Sequence, residues 1–154
     1  MDTKAGNSAL RLAIISWSGN KPAEAAEAID QVTPERRPAL ASALAETWTR
    51  NDPAAAAAWV ANYPGSDQKT LVREVLQQWA ASEPREAYAW LNTLPAGESR
   101  DEGISYMIIR EAPSNPESLA PWIELLSTPE LRAEKRKVLD EYARSTPAVE
   151  HHGE

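Results

Sequence analysis

Five prolines recur along this chain at an almost constant interval, which restricts the possible fold more than any other feature of the sequence. They stand at Pro22, Pro53, Pro84, Pro116 and Pro147, and only the interval from the third to the fourth is longer than the others, by a single position. A fixed period of this length, about 31 residues, is typical of proteins in which small, similar units stack side by side. Each unit of such an array buries its apolar face only against its neighbours.

Aromatic residues follow the same period. One lies five positions before four of the prolines, and a tryptophan lies six positions after the middle three. The first set is Trp17, Trp48, Trp79 and Tyr142, and the second is Trp59, Trp90 and Trp122. Because these positions coincide with the apolar faces of predicted helices, we expect all six tryptophans to be core residues rather than a platform for sugars or bases.

The segment before each proline has the pattern of an amphipathic helix, which we name helix B. Leu71, Val75 and Trp79 recur at every fourth position, and the other segments repeat this spacing. Such a stripe predicts a helix of about 14 to 16 residues with one apolar face. The polar side of this helix is expected to hold Arg73, Glu74, Gln77 and Gln78.

A second helix, helix A, is predicted to begin at each proline, because proline suits the first position of a helix. Asp52, Asn115 and Thr146 stand immediately before three of the prolines and are expected to cap the helices that follow. Apolar residues then lie three, six, seven and ten positions after each proline, which marks one face of a helix of about 11 residues.

No segment alternates between apolar and polar residues with a period of two, so no strand is predicted. The expected fold is all-α, an α-solenoid of about four stacked antiparallel helix pairs. We expect one helical-repeat domain over residues 1–147 and a disordered tail over residues 148–154.

The paired helices, the alanine-rich helix A and the boundary proline resemble the tetratricopeptide-like class of α-solenoids. The resemblance extends from about Ala9 to Pro147. This chain differs from that class in its shorter period, which is about 31 rather than about 34 residues. It differs also in Asn92, which follows Trp90-Leu91 where that class has glycine. The resemblance implies a concave surface, lined by helix A, that holds a peptide or protein segment.

Two groups of residues are predicted to bind that partner. On helix A, positions four and eight after each proline would line the surface, and their polar members are Asp30, Tyr88, Asn92 and Glu124. The second group lies where the period lengthens by one position and Glu111 occupies the aromatic position. There Tyr106 and Arg110 would present a polar binding site, or the irregularity is a kink that redirects the last unit.

The net charge of −7 argues against an extended contact with nucleic acid, which is bound mainly through basic residues. We therefore expect a protein or peptide partner whose contact region is basic or neutral. The alternative is a helical repeat that binds nucleic acid through cationic helix B faces, notably Arg132 to Lys137. No window is apolar enough for a membrane span, so no membrane partner is expected.

Residues for catalysis or metal binding are scarce. The chain has no cysteine, and its two histidines, His151 and His152, lie in the polar tail. We expect no metal, no cofactor and no enzymatic activity. An enzymatic function would need a concave pocket with perturbed carboxylates. The absence of cysteine suits a cytoplasmic protein.

The ends of the array leave two alternatives open. The period begins within a helix B, and Pro147 stands where another helix A would begin. Either the segment from Ala9 to Trp17 caps the stack, or the chain is part of a longer repeat array.

Overall fold

The computed structural model describes residues 3–145, with side chains from residue 5, and in this range all regular structure is helical. The α-helices are α1 Thr3–Ser18, α2 Pro22–Asp30, α3 Arg37–Asn51, α4 Pro53–Ala61, α5 Gln68–Ser82, α6 Pro84–Thr93, α7 Glu98–Glu111, α8 Ala120–Ile123 and α9 Pro129–Ser145. A short 3-10 helix, Pro116–Leu119, precedes α8. The predicted all-α class is therefore confirmed.

The helices begin and end close to where the prolines predict. Helices α1, α3, α5, α7 and α9 are the B helices, and α2, α4 and α6 are the A helices, each beginning at its proline. The A helices contain 9 or 10 residues, slightly fewer than predicted. The last apolar residue of the predicted face, such as Tyr63 or Leu94, lies beyond the end of its helix.

The prediction of a full helix A after Pro116 is wrong. The segment forms a 3-10 helix of 4 residues followed by α8, which also has 4 residues. Pro121 explains the difference, because its ring would clash with the carbonyl of Glu117 inside a continuous α-helix. The apolar face survives, since Leu119, Ile123 and Leu126 are all buried.

The chain divides into two compact units, unit 1 up to Leu94 and unit 2 from Pro95 onward. The single domain over residues 1–147, the stacking of the pairs as a solenoid and the number of pairs stay predictions. Thr146, Pro147 and the tail over residues 148–154 lie outside the described residues.

At two places in unit 1, a single residue separates consecutive helices: Asp52 between α3 and α4, and Glu83 between α5 and α6. Trp48 and Trp59 flank Asp52, and their ring centroids are 5.8 Å apart. Trp79 and Trp90 flank Glu83 in the same way, with centroids 6.2 Å apart. These contacts, predicted from the period, show that α3 with α4 and α5 with α6 form helix hairpins.

The B helices of unit 1 pack on one another, α1 on α3 and α3 on α5. Helices α2 and α4 each contact the B helices on both sides. The buried residues match the predicted faces, including Leu40, Leu44, Ala56, Val60, Leu71, Val75, Ala87 and Leu91. Apolar burial of this kind is the main source of helix stability in proteins.

The tryptophans are not all core residues as predicted. Trp79 is 7% exposed, but Trp17 is 39% exposed. Trp48, Trp59 and Trp90 are half-buried. Trp17 differs because its face of α1 has no preceding helix against it among the described residues.

One of the predicted helix caps is present and one is absent. The Asp52 carboxylate accepts a hydrogen bond from the backbone N–H of Ala55 at 3.0 Å, which confirms that cap. Asn115 makes no side-chain cap bond, so that prediction is wrong. The segment it precedes is a 3-10 helix, whose first amides are arranged differently from those of an α-helix.

Side chains at the start of several B helices bind the end of the helical segment before them. Arg37 donates from Nη2 to the carbonyls of Asp30 and Val32 at 3.1 and 2.9 Å. Gln68, at the equivalent position one period later, donates from Nε2 to two carbonyls at the end of α4, both at 3.0 Å. Arg132 donates to the carbonyl of Leu126 at 2.7 Å. These bonds supply donors to carbonyls at or just beyond the ends of the preceding helices.

In unit 2, the start of α7 binds the turn between α8 and α9. Asp101 is buried, and its carboxylate accepts hydrogen bonds from the backbone N–H of Ser127, at 2.9 Å, and from the Ser127 hydroxyl. Arg100 donates to the carbonyl of Leu125 at 2.8 Å. A buried carboxylate is tolerated when hydrogen bonds replace its hydration.

Candidate functional site

A polar cleft lies between α3 and α5 in unit 1. Its volume is about 410 Å³, and it is lined by Glu46, Glu74, Gln77 and Gln78. Every lining side chain ends in hydrogen-bonding atoms. A cleft built from carboxylates and amides is suited to a cationic or amide-containing ligand.

The packing of α5 on α3 positions two of these side chains. Glu74 and Gln78 lie one helical turn apart, next to Leu71 and Val75 on the face that meets α3. Both are half-buried, so the prediction that they lie on the polar side of α5 is wrong. The buried arc is wider than the apolar stripe because α5 also contacts α4 and α6.

The environment of Glu74 disfavours its charged form. Burial raises the pKa of this carboxyl, Glu46 raises it further, and a hydrogen bond with Ser42 opposes the shift. The Oε2 atom is shielded from solvent and accepts no hydrogen bond from the described residues. One carboxylate oxygen at the cleft therefore has unused hydrogen-bonding capacity.

The other two lining residues, Glu46 and Gln77, are exposed. Glu46 forms an ion pair with Arg50, one turn later on α3, with 2.9 Å between Oε1 and Nη2. Both of these side chains are more than half exposed, so the pair is weak and can exchange partners. The glutamine amides can donate and accept hydrogen bonds together. The cleft can thus bind an ammonium or guanidinium group beside a peptide group.

The predicted site residues of unit 1 lie outside this cleft. Asp30 is exposed at the end of α2. It contributes, after burial and Asp67, to the raised pKa of Tyr63. Tyr88 is half-buried and Asn92 exposed, one turn apart on α6. Their binding role stays a prediction.

Tyr88 belongs to a row of helix A residues, each four positions after a period proline, that was predicted to be unused for packing. Not every member of this row is exposed. Ala57 occupies the same position on α4, four places after its proline, and is buried. The prediction that this row is unused for packing is therefore wrong at Ala57. Helix α4 contacts both α3 and α5, and these contacts bury Ala57.

Unit 2 contains the other three predicted residues. Tyr106 is half-buried and Arg110 exposed, one turn apart on α7, and Arg110 forms an ion pair with Glu111 at 3.3 Å. Glu124 is exposed just after α8 and forms an ion pair with Arg136 of α9. Tyr106 and Glu124 therefore belong to different elements of unit 2, and their binding role also stays a prediction.

The position of Glu74 within the repeat could have indicated the cleft from the sequence. Glu74 stands one period after Ala43, which is buried in α3. Tyr106 stands one period after Glu74, in the part of the chain where the period is longer. A carboxylate at a position that is otherwise apolar or aromatic departs from the local pattern, and such departures often mark functional sites.

Two kinds of feature are absent from the described part of the chain. Among residues 3–145, no cluster of three or more His, Cys, Asp or Glu side chains is arranged to hold a metal ion. No helix in that range combines the length and the apolar character needed to cross a membrane. His151 and His152 lie outside the described residues.

Comparisons of the chain with protein-family models, with curated proteins and with solved structures found no match. The all-helical architecture is compatible with a helical repeat. The resemblance to the tetratricopeptide-like class stays a prediction.

Proposed function

We propose that this chain is a non-enzymatic module that binds a protein or peptide segment, and that the α3–α5 cleft receives a lysine or arginine side chain of that segment. The observation that supports this function is the shielded Oε2 atom of Glu74, which accepts no hydrogen bond from the described residues and lies in a cleft shared with Glu46.

A cation would correct an unfavourable feature of the free protein. Burial without a partner disfavours the Glu74 carboxylate, as its raised pKa reflects. A guanidinium or ammonium group that enters the cleft would donate to this carboxyl once its side chain turns to expose Oε2, and such charge-assisted hydrogen bonds contribute about 1.5–3 kcal/mol each. Because the cation favours the ionised carboxyl, binding would lower the pKa of Glu74 toward its usual range.

The rest of the cleft suits the backbone of an extended segment. Gln77 and Gln78 offer amide groups that can pair with a peptide C=O and N–H. The net charge of −7 would also attract a basic segment over a longer range. The module therefore suits a partner whose contact region is basic.

The nucleic-acid alternative is weaker, because the net charge is −7 and because carboxylates or carbonyls lie beside several of the cations on which this alternative depends. Lys135 pairs with Glu134 at 2.8 Å, and Arg136 pairs with Glu124. Arg132 donates to a backbone carbonyl. Tight binding of a single-stranded oligonucleotide with a steep salt dependence would favour this alternative.

A titration with short peptides tests the proposal. Three acetylated and amidated peptides, identical except for a central arginine, norleucine or glutamate, are added to isotopically labelled protein. We expect the arginine peptide alone to shift the side-chain amide signals of Gln77 and Gln78 in the NMR spectrum. Equal binding of the norleucine peptide, or shifts confined to other residues, would exclude this cleft as the site.

Two variants sharpen this titration. Glu74→Gln retains the size of the side chain but removes its charge, and we expect the arginine peptide to bind about tenfold more weakly. Glu86→Gln, an exposed change on α6, is the matched control and should leave the affinity unchanged.

A further inference from the structure

A second pocket of unit 1 lies between α1 and the beginning of α3, and its volume is about 200 Å³. Leu10, Ala39 and Leu40 form its apolar wall, and Leu40 is buried. Two arginines also line it, Arg11 of α1 and Arg36, which immediately precedes α3. We name it the arginine pocket, because it brings two cations together beside an apolar surface.

The guanidinium groups of the arginine pocket are not engaged within the described part of the chain. Arg11 and Arg36 are both exposed, and neither side chain forms an ion pair or a hydrogen bond with a described residue. Arg50 of the same unit, in contrast, pairs with Glu46 at 2.9 Å. Because two like charges at one pocket repel each other, an anion bound there would be attracted by both.

One carboxylate, that of Glu35, also lines the arginine pocket. Hydrogen bonds with its own backbone N–H and with Thr33 lower the pKa of this carboxyl, so it is ionised at neutral pH. The lining residues thus contribute two positive charges and one negative charge. Such a balance suits an anion with a single charge better than an anion with two.

The chemistry of the lining residues indicates the kind of anion. A guanidinium group presents N–H donors in a planar fork that matches the two oxygens of a carboxylate. The apolar wall would contact a short hydrocarbon group attached to that carboxylate, whereas inorganic phosphate would leave the wall unused. The pocket is smaller than the roughly 300–1,000 Å³ typical of sites for drug-sized molecules, so it suits one small group.

We propose that the arginine pocket binds a carboxylate carried on a short apolar body, either the C-terminal residue of a peptide or a free short-chain acid. Arg11 and Arg36 would donate to the carboxylate oxygens, and the amide of Asn7 can pair with a neighbouring polar group of the ligand. This site is separate from the α3–α5 cleft and selects the opposite charge. It does not depend on the function proposed for that cleft.

Four small probes added to isotopically labelled full-length chain test this proposal at constant ionic strength and about pH 7. They are an acetylated tripeptide that ends in leucine with a free carboxylate, the same tripeptide with a C-terminal amide, butyrate and inorganic phosphate. We expect the free-acid tripeptide, and not its amide, to shift the Nε–H signals of Arg11 and Arg36 with a dissociation constant on the order of 1 mM. Butyrate binding as tightly as the tripeptide would assign a free acid as the ligand, and weaker butyrate binding would assign a peptide terminus.

Three variants identify the residues responsible. Arg11→Gln and Arg36→Gln should each weaken binding of the free-acid tripeptide about tenfold, because each removes charge-assisted hydrogen bonds. Arg85→Gln removes an exposed cation of α6 outside the arginine pocket and should bind like the wild type. All three positions are exposed, and circular dichroism verifies folding. Equal binding of the amide, tighter binding of phosphate, an equal loss in Arg85→Gln, or no binding up to about 20 mM would each overturn the proposal.

Discussion

The indole of Trp79 donates a hydrogen bond from Nε1 to Oε2 of Glu83, 2.9 Å away. Glu83 is the single residue between α5 and α6, and the same indole contacts Trp90 on the far side of that link. One side chain thus joins two helices and the residue between them. The bond also supplies a partner for a buried polar group that would otherwise lose its hydration.

Trp79 is therefore predicted to be a major contributor to the stability of unit 1. We expect Trp79→Ala to lower the free energy of unfolding by about 3–5 kcal/mol, as for other large core residues. Trp17→Ala, on the exposed face of α1, is the matched control and should cost about 1 kcal/mol or less. Urea unfolding measured by circular dichroism would contradict this prediction if the two losses were equal.

Arg37 is predicted to stabilise unit 1 by binding the end of α2. Arg37→Ala leaves the carbonyls of Asp30 and Val32 without this donor, and we expect a loss of about 1–2 kcal/mol. The neighbouring Arg36 is exposed, and Arg36→Ala should change stability by less than about 0.5 kcal/mol. Thermal unfolding of the two variants provides the measurement. A similar loss in both would mean that Arg37 acts only as a surface charge.

Glu74 predicts a specific dependence of stability on pH. Its pKa is raised in the folded state, so the protein loses stability as pH rises through that pKa. Glu74→Gln removes this loss. We expect the variant to match the wild type at about pH 4 and to be more stable at about pH 7, on the order of 0.5 kcal/mol because solvent screens a half-buried group.

Urea unfolding at both pH values measures this difference. Glu27→Gln, exposed on α2, is the control for removing one negative charge from an acidic chain. A gain for Glu74→Gln that is the same at both pH values, or equal to that of Glu27→Gln, would contradict the assigned cause of the raised pKa.

Two glycines are predicted to respond to alanine in opposite ways. Gly65, in the turn between α4 and α5, has a φ of +89°, so Gly65→Ala should cost about 1–2 kcal/mol. Gly6 lies within α1, and a Cβ there would meet no other atom within 4 Å. Gly6→Ala should therefore stabilise the chain by about 0.5–1 kcal/mol. Changes of the same sign in urea unfolding would refute this pair of predictions.

Much of the helical fold was predictable from local patterns. Pro53 marks the start of α4 because proline suits the first turn of a helix, and the spacing of Ala56 and Val60 identifies its buried face. The same logic failed after Pro116, where Pro121 interrupts the helix. The cause of this wrong prediction is also local, because Pro121 lies five residues after Pro116 and an interior proline interrupts a helix.

The candidate cleft was not predictable in the same way. Glu74 and Gln78 looked like the solvent side of α5, because periodicity identifies the centre of a buried stripe but not its width. The width depends on how many neighbouring helices cover α5, and contacts with α3, α4 and α6 bury the edges of the stripe as well. The donation of Arg37 to the end of α2 was not predicted for a different reason, since it depends on the conformation of the turn between α2 and α3, which helical periodicity does not describe.

By itself, the amino-acid sequence determined the all-helical class, the position of most helix starts and most of the apolar residues that face inward, because these follow from backbone preferences and side-chain spacing within one helix. Only the tertiary structure decided that Glu46 and Glu74 share a cleft, that Asp101 binds Ser127 and that Leu12 and Trp17 of α1 are left exposed. The reason is physical: burial, desolvation and shifted pKa values depend on which elements meet, and residues far apart in the chain meet only through packing.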